Sequence, residues 1–326
     1  MNMKYTIGID IGATNTEMGL VNFKGLIVYR TSFKTNQFYG LNGFLEILVE
    51  NIKLLYHKVK KQEDIVAIGI GAPNGNAVKG TIEHAPNLKF KGIIYLKKRL
   101  SKMLEQRGYT PKIYLTNDAN AAAIGEMLYG KAKKGIKDFI MITLGTGVGS
   151  GIVSNGKLVY GYSSFAGEIG HTKVCDNGRQ CNCGKKDCLE TYSSATGIVT
   201  TAKELLSQSV IPSLLRELPD NKLESKDIYE AAIKGDVISL QCFDLTAKML
   251  AIALANASAV TSPQKIYIFG GLAQSGDLLL KPLKKYFEEE LYVTFKRTID
   301  IELSGLKGSD AAILGSAALG FSNEDR

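Results

Sequence analysis

One histidine, His171, and three cysteines, Cys181, Cys183 and Cys188, stand close together and are flanked by two carboxylates, Glu168 and Glu190. Thiolate sulfur and imidazole nitrogen are the donors a tetrahedral zinc ion prefers, so these four side chains can close a structural zinc site. A metal held that way pins a loop-like segment and fixes Glu168, His171 and Glu190 relative to one another. The chain has five cysteines in 326 residues, and their crowding suits metal binding in a reducing compartment better than a disulfide scaffold. Cys175 breaks the tight spacing and is expected to stand outside the metal shell. Cys242 lies in a helical apolar pattern and reads as a small core residue.

A second chemical group lies upstream. Asp118 follows a short strand, Lys112 to Thr116, and opens an Ala-rich helix running to Leu128. An aspartate at that place is either a helix N-cap accepting backbone N–H groups or a base that takes the proton of an attacking hydroxyl. Asn117 beside it and the acidic cluster downstream favour the base. Two turns dense in Gly, Thr and Asn can present backbone N–H groups to a phosphate: Gly12, Thr14 and Asn15 in one, Gly145, Thr146, Gly147 and Gly149 in the other. Neither has the spacing of a P-loop, and neither visibly opens a helix in a dinucleotide-binding unit. Asp10 ends the first strand beside the first turn, where it either holds magnesium through water or caps the turn. Phosphoryl transfer needs a positioned base and charge clamps rather than covalent chemistry, and these groups supply both.

The elements that must position them alternate in period. Tyr5 to Val21 reads as strand, turn and strand. Phe139 to Val153 repeats that pattern, with Gly19-Leu20-Val21 matching Gly151-Ile152-Val153. Each is followed by a turn and another apolar strand, Leu26 to Tyr29 and Lys157 to Tyr160. Helical spacing covers Leu41 to Val59, Ile93 to Leu104, Thr196 to Gln208, Lys226 to Lys234 and Ile238 to Val260. Ile65 to Gly71 and Lys265 to Phe269 read as buried strands, and Asp310 to Leu319 as a last helix. The pattern predicts an α/β protein of duplicated lobes without a linker. The expected division is residues 1–117 and 118–307, with a C-terminal helix over 308–322 packing back on the first lobe. A ligand is expected in the central cleft.

Apolar content of 45% and charged content of 22% are ordinary for a globular protein. No uninterrupted apolar run reaches the ~18 residues of a membrane span, and the N-terminus lacks the apolar region of a signal peptide, so the expected location is the cytoplasm. The net charge of +8 comes from scattered lysines with short clusters such as Lys58, Lys60, Lys61 and Lys97, Lys98, Arg99. No nucleic-acid module accompanies them, and neither a nucleic acid nor a membrane is expected as partner.

The motifs Asp10-Ile-Gly-Ala-Thr-Asn15, Asn117-Asp118-Ala-Asn-Ala-Ala-Ala123, Leu144-Gly-Thr-Gly-Val-Gly149, Gly167-Glu-Ile-Gly-His171 and Cys181-Asn-Cys-Gly-Lys-Lys-Asp-Cys-Leu-Glu190 resemble the ROK family. That family comprises bacterial sugar kinases and sugar-responsive repressors. The resemblance runs from Ile7 to about Gly320 and implies an actin-like ATPase, ribonuclease H-like, two-lobed fold. It implies that Asp118 deprotonates a sugar hydroxyl, usually the 6-hydroxyl, and that Asn87, Asn117, Glu168, His171 and Glu190 touch the sugar. His171, Cys181, Cys183 and Cys188 correspond to the zinc ligands, and Gly270-Gly271 to the turn that holds adenosine. It also implies a homodimer that uses ATP, Mg2+ and Zn2+.

Three departures stand out. Gly71-Ala-Pro-Asn74-Gly75-Asn76 replaces the frequent Gly-x-Pro-Gly, and Gly75 and Asn76 border the implied sugar site. Ser150 and Asp187 stand where glycine is usual. The implied activity is ATP-dependent conversion of glucose to its 6-phosphate, at the entry to glycolysis, with N-acetylmannosamine or N-acetylglucosamine as alternative substrates. The alternative of another class is a sugar-sensing regulator without a DNA-binding domain. Only six residues precede Ile7, which leaves no room there for a helix-turn-helix.

Overall fold

A computed structural model of the protein describes residues 4–38, 40–308 and 310–322. The chain divides into two compact units. Unit 1 comprises Met1–Lys137, Gly156–Ala166 and Ser304–Arg326; unit 2 comprises Asp138–Asn155 and Gly167–Leu303.

In unit 1 the strands β1 (Tyr5–Ile11), β2 (Asn15–Asn22) and β3 (Ile27–Lys34) precede helix α1 (Leu41–Tyr56) and strand β4 (Ile65–Gly71). The short strands β5 (Gly75–Asn76), β6 (Thr81–Glu83) and β7 (Ile93–Ile94) follow, then α2 (Leu96–Glu105), β8 (Lys112–Thr116) and α3 (Asp118–Tyr129). The main sheet has the order β3-β2-β1-β4-β8. The antiparallel hairpin β1–β2 is extended on the other side by β4 and β8, both parallel to β1. Apolar side chains of β1 and β4, among them Ile7, Ile9, Ile68 and Ile70, pack with Phe44, Leu45, Leu48 and Ile52 of α1.

The C-terminal helix, Asp310–Ser322, packs on the same sheet. Gly8 and Gly69, paired across β1 and β4, make this close approach possible. A Cβ at Gly8 would stand 2.2 Å from the Ile313 carbonyl oxygen, and one at Gly69 would stand 1.9 Å from that of Ser316. Ser316 Oγ in turn accepts the Gly71 N–H at 3.2 Å, which ties the helix to the end of β4.

Unit 2 contains β9 (Phe139–Leu144), β10 (Val148–Ser154), α4 (Glu190–Ser193), α5 (Ala195–Gln208), α6 (Ser225–Ala232), α7 (Val237–Thr261) and α8 (Asp277–Glu290). Its sheet runs β10-β9, then strand Lys265–Phe269, then strand Asp300–Leu303. It again has an antiparallel hairpin extended by two parallel strands. This is the duplicated pattern that the glycine spacing predicts. Ile140, Ile142, Ile266 and Ile268 of the sheet share a core with Phe243, Leu250 and Leu254 of α7 and Leu279, Leu283 and Phe287 of α8.

The structure departs from expectation in four places. The division at residue 117 moves to 137, because α3 is built into unit 1. Its Gly125 lies against Gly315, and the fully buried Glu126 accepts N–H groups from Lys131 and Gly305. Ile93 and Ile94, expected to open a helix, pair with β6 as a strand instead, and α2 begins at Leu96. The strand Asp300–Leu303 has no clear signal in the sequence, since four residues are too few to show a period. Finally, α7 is by length and composition apolar enough to cross a membrane. Burial of its Phe243, Leu250 and Leu254 in the unit 2 core accounts for that apolarity, and Asp244 within it accepts a hydrogen bond from Tyr286 at 2.8 Å.

Candidate active site

In unit 1, Asp10 lies one residue before the end of β1, directly across the hairpin from Glu17. Its Oδ1 would lie 3.6 Å from a Cβ placed on Gly71, near Ala121 of α3. Loss of hydration raises its pKa to about 7, assisted by the negative charges of Asp118 and Glu17. The first turn closes with Gly12 N–H donating to the Asn15 carbonyl at 3.0 Å, and Ala13, Thr14 and Asn15 are exposed.

Asn117 rather than Asp118 caps α3, accepting the Asn120 N–H at 2.7 Å. That releases Asp118 from the bland capping role. Its Oδ1 accepts the Ala119 N–H at 2.8 Å, and solvent reaches the side chain. Protein nevertheless surrounds the carboxyl closely enough that lost hydration raises its pKa, against backbone hydrogen bonds that lower it. A carboxylate that is reachable yet underhydrated suits a general base.

The other unit 1 candidates separate. Gly75 is buried, and a Cβ there would stand 2.3 Å from the Thr116 carbonyl oxygen, so it packs against the strand end that delivers Asn117. Asn76 is fully buried. Its amide donates to Glu83 and to the Ser163 carbonyl, and its oxygen accepts the Val78 and Lys79 N–H groups. With donors and acceptor engaged, Asn76 has nothing left for a sugar, and the substrate contact expected of it is corrected to a structural role. Asn87 is exposed.

In unit 2, the metal-ligating atoms of His171, Cys181, Cys183 and Cys188 all lie within 4.8 Å of one another. Cys183 and Cys188 sulfurs are 3.7 Å apart, and Cys181 Sγ is 3.8 Å from His171 Nδ1. Tetrahedral zinc with bonds of about 2.3 Å to sulfur requires S···S separations of about 3.8 Å, so the four donors fit. Burial pushes the Cys188 thiol up to about 12, reinforced by hydrogen bonds with Cys183 and Cys181; a divalent cation stabilises the thiolates instead. No other group of three or more such ligands occurs among the described residues. Cys175 stands apart, donating to Tyr192 Oη at 3.2 Å.

Glu190, at the start of α4, lies beside this shell with Oε1 3.8 Å from Cys181 Sγ. Its Oε2 accepts the Val148 N–H at 3.2 Å. Glu168 is exposed, one residue before the short turn that carries His171. The second glycine-rich turn closes with Gly145 N–H donating to Gly147 O at 3.0 Å. It is braced on α5, where Ala195 N–H donates to Gly145 O and Thr196 Oγ1 to Thr146 O. Thr146 is exposed, and Gly149 lies in β10. Gly270 follows strand Lys265–Phe269 with φ of 109°, against the Leu144 carbonyl, and Gly271 faces open space.

The ROK family profile matches residues 6–322. The chain belongs to the ROK family. It is 36% identical over 323 residues to a glucokinase of Halalkalibacterium halodurans, covering 98% of this chain and 96% of that protein. It is 29% identical to a putative xylose repressor of a Caldicellulosiruptor species, covering 99% of this chain and 79% of the repressor. A crystal structure of a ROK glucokinase from Streptomyces griseus with glucose and AMPPNP superposes with a TM-score of 0.79 at 30% identity, covering 98% of this chain and 99% of that one.

Each departure from the ROK motifs has a physical account. Asn74 adopts a left-handed φ of 51°, which asparagine tolerates, and its amide donates to Glu83 O at 3.0 Å. Asp187 has φ of 69°, and its carboxylate accepts the Gly178 N–H at 2.5 Å. Ser150 is buried, with its hydroxyl bonded to the Gly167–Ile169 segment. Sequence reasoning also missed Val148, whose N–H holds Glu190, and Lys185, whose Nζ donates to His171 O at 2.9 Å. Backbone donors leave no trace in residue type, so only a structure reveals the first.

Proposed function

We propose that this ROK protein transfers the γ-phosphoryl group of ATP to the 6-hydroxyl of a hexose, glucose foremost, with Asp118 as the general base. The observation that carries this reading is the Asp118 carboxylate: relieved of capping by Asn117, open to solvent and held above its ordinary pKa. Such a group takes a proton from an alcohol more readily than an ordinary surface carboxylate. The identity with glucokinases over the whole chain supports the substrate class.

Asn87, Asn117, Glu168, His171 and Glu190 orient the ring hydroxyls, which are both donors and acceptors. His171, Cys181, Cys183 and Cys188 would hold a zinc ion that cross-links their segment. With Nδ1 of His171 turned toward Cys181, its other ring nitrogen remains for a sugar hydroxyl. The turns at Gly12–Asn15 and Gly145–Gly149 receive the phosphates, and Gly270-Gly271 the adenosine. Asp10 fits a role in holding Mg2+ through water, since that ion keeps several waters and takes one or two carboxylates together with substrate phosphates. The regulator reading is the weaker one, because the glucokinase match is both closer and covers more of the relative. We further propose a cytoplasmic homodimer that feeds glycolysis, the assembly being checked by sedimentation equilibrium.

A coupled ADP-release assay across glucose, mannose, fructose, N-acetylglucosamine and N-acetylmannosamine tests the reading. Glucose is expected to give the highest kcat/KM. A higher value for an N-acetylhexosamine moves the substrate assignment, and no ADP release with any sugar overturns the kinase.

A further inference from the structure

Three of the four candidate metal donors ride on one small hairpin. Its arms are paired by Asp187 N–H donating to Arg179 O at 2.9 Å and Cys181 N–H to Lys185 O at 2.8 Å. Cys181 and Cys183 lie within it, and Cys188 follows it directly. Arg179, at the base, has a side chain only 11% exposed, and a cation so placed needs partners. Its five N–H donors make five hydrogen bonds. Nε and Nη2 donate to the two carboxylate oxygens of Glu204 on α5, Nη2 also to Thr201 Oγ1, and Nη1 to the Thr191 and Gly197 carbonyls. The guanidinium lies 4.3 Å from the centre of the Tyr192 ring, whose Oη accepts the Arg179 N–H at 3.1 Å.

We infer that Arg179 is a positioning residue for the metal centre: it bolts the hairpin to α4 and α5, so that Cys181, Cys183 and Cys188 meet zinc already placed. This rests on the zinc reading of the four donors and not on the identity of the sugar. Bonds within the hairpin hold its arms to each other, and buried Leu189 seats its exit. Among the described residues, the hydrogen bonds that reach from the hairpin to α5 are those of Arg179. Gly178 lets the base come close, since a Cβ there would stand 2.0 Å from Tyr192 Oη. Without the guanidinium, zinc must order the hairpin as it binds, and that cost weakens its hold. The half-exposed Glu204 then returns to water instead of being stranded. Lysine is no substitute, because its ammonium has fewer donors and no planar fork.

The test uses the full-length protein and two variants, Arg179→Lys and Arg179→Gln. Transfer of zinc to a chromogenic chelator is expected to be about tenfold faster in both, the lower end of the effect of groups that support metal ligands. Hydrogen exchange of residues 178–188 is expected to quicken more in the zinc-depleted form than in the loaded form. Loss of a fold contact alone would lower the Tm of loaded and depleted protein equally, whereas weaker zinc binding narrows the gap between them. Unchanged zinc transfer, or an equal fall in both Tm values, overturns the inference. Failure of both variants to fold also overturns it, since the guanidinium would then serve the fold and not the metal. A parent that takes up no zinc refutes the metal reading and the inference with it; zinc uptake with unchanged transfer refutes the inference alone.

Discussion

The carboxylate of Glu190 accepts the backbone N–H of Val148 at 3.2 Å, joining a proposed sugar ligand to the strand that leaves the second glycine-rich turn. Gly147, next to Val148, leaves room for this contact, since a Cβ there would stand 2.1 Å from Glu190 Oε2. Under the proposed reading, one side chain bears on two ligands. Glu190→Gln keeps an acceptor for Val148 and is expected to raise the glucose KM while leaving the ATP KM unchanged. Glu190→Ala removes the acceptor as well and is expected to raise both. Initial-rate kinetics decide this, and an unchanged ATP KM in the alanine variant would mean that Glu190 does not hold the turn.

Asp118→Asn is expected to fold and bind glucose while kcat falls by about 10²–10⁴, the range for losing a positioned base. The raised pKa of Asp118 adds a pH signature. The base works only when ionised, so the parent's rate should decline on the acid side with an inflection above the ordinary carboxylate range. Near-parental turnover in the variant would exclude Asp118 as the base.

Asp10 makes stability depend on pH. Its pKa of about 7 exceeds the model-compound value of 3.8, so the folded chain binds a proton that the unfolded chain has released. Its contribution favours folding most below pH 4 and is lost as pH rises to about 7. Asp10→Asn removes the charge that is costly at high pH. Without nucleotide, thermal melts should show a larger gain in Tm at pH 8 than at pH 5, and an equal gain at both would contradict the assignment.

Zinc removal should act through the sugar. Cys183→Ser, or treatment with a chelator, is expected to release one zinc per chain and raise the glucose KM, because the segment with His171 and Glu190 loses its cross-link. Metal analysis coupled to kinetics checks this. A zinc-free preparation of full activity would show that the four donors serve no such purpose.

Asn76 offers a contrast. Its side chain is engaged on four sides within unit 1, so Asn76→Ala is expected to cost about 1–3 kcal/mol of stability, the scale of buried groups left without partners. The glucose KM should stay within about twofold of the parent. A large KM change at unaltered Tm would restore Asn76 to the sugar site.

Much of this was legible in residue types. The tight run from His171 to Cys188 announces a candidate metal site because its donors are neighbours in sequence, and a short loop can gather them without long-range help. The paired glycine-rich hairpins announce two related units because a strand–turn–strand pattern is local. Gly75 and Asn76 are less legible, for the same reason in reverse. A glycine and an asparagine in a loop carry the same letters whether they face a ligand or a strand end, and only packing against Thr116, Glu83 and Ser163 separates the two cases.

The sequence by itself determined the α/β class, the four candidate metal ligands, the glycine-rich turns and the acidic residue at the head of α3, since each depends on spacing along the chain. Tertiary structure alone decided that Asn117 takes the cap and leaves Asp118 available, that α3 joins the first unit, and that Val148 and Ser150 hold Glu190 and the Glu168 segment. Apart from the Asn117 cap, which joins residues three apart, those outcomes depend on backbone groups brought together across long stretches of chain. Every residue carries the same N–H and C=O, so no residue code records which of them will meet.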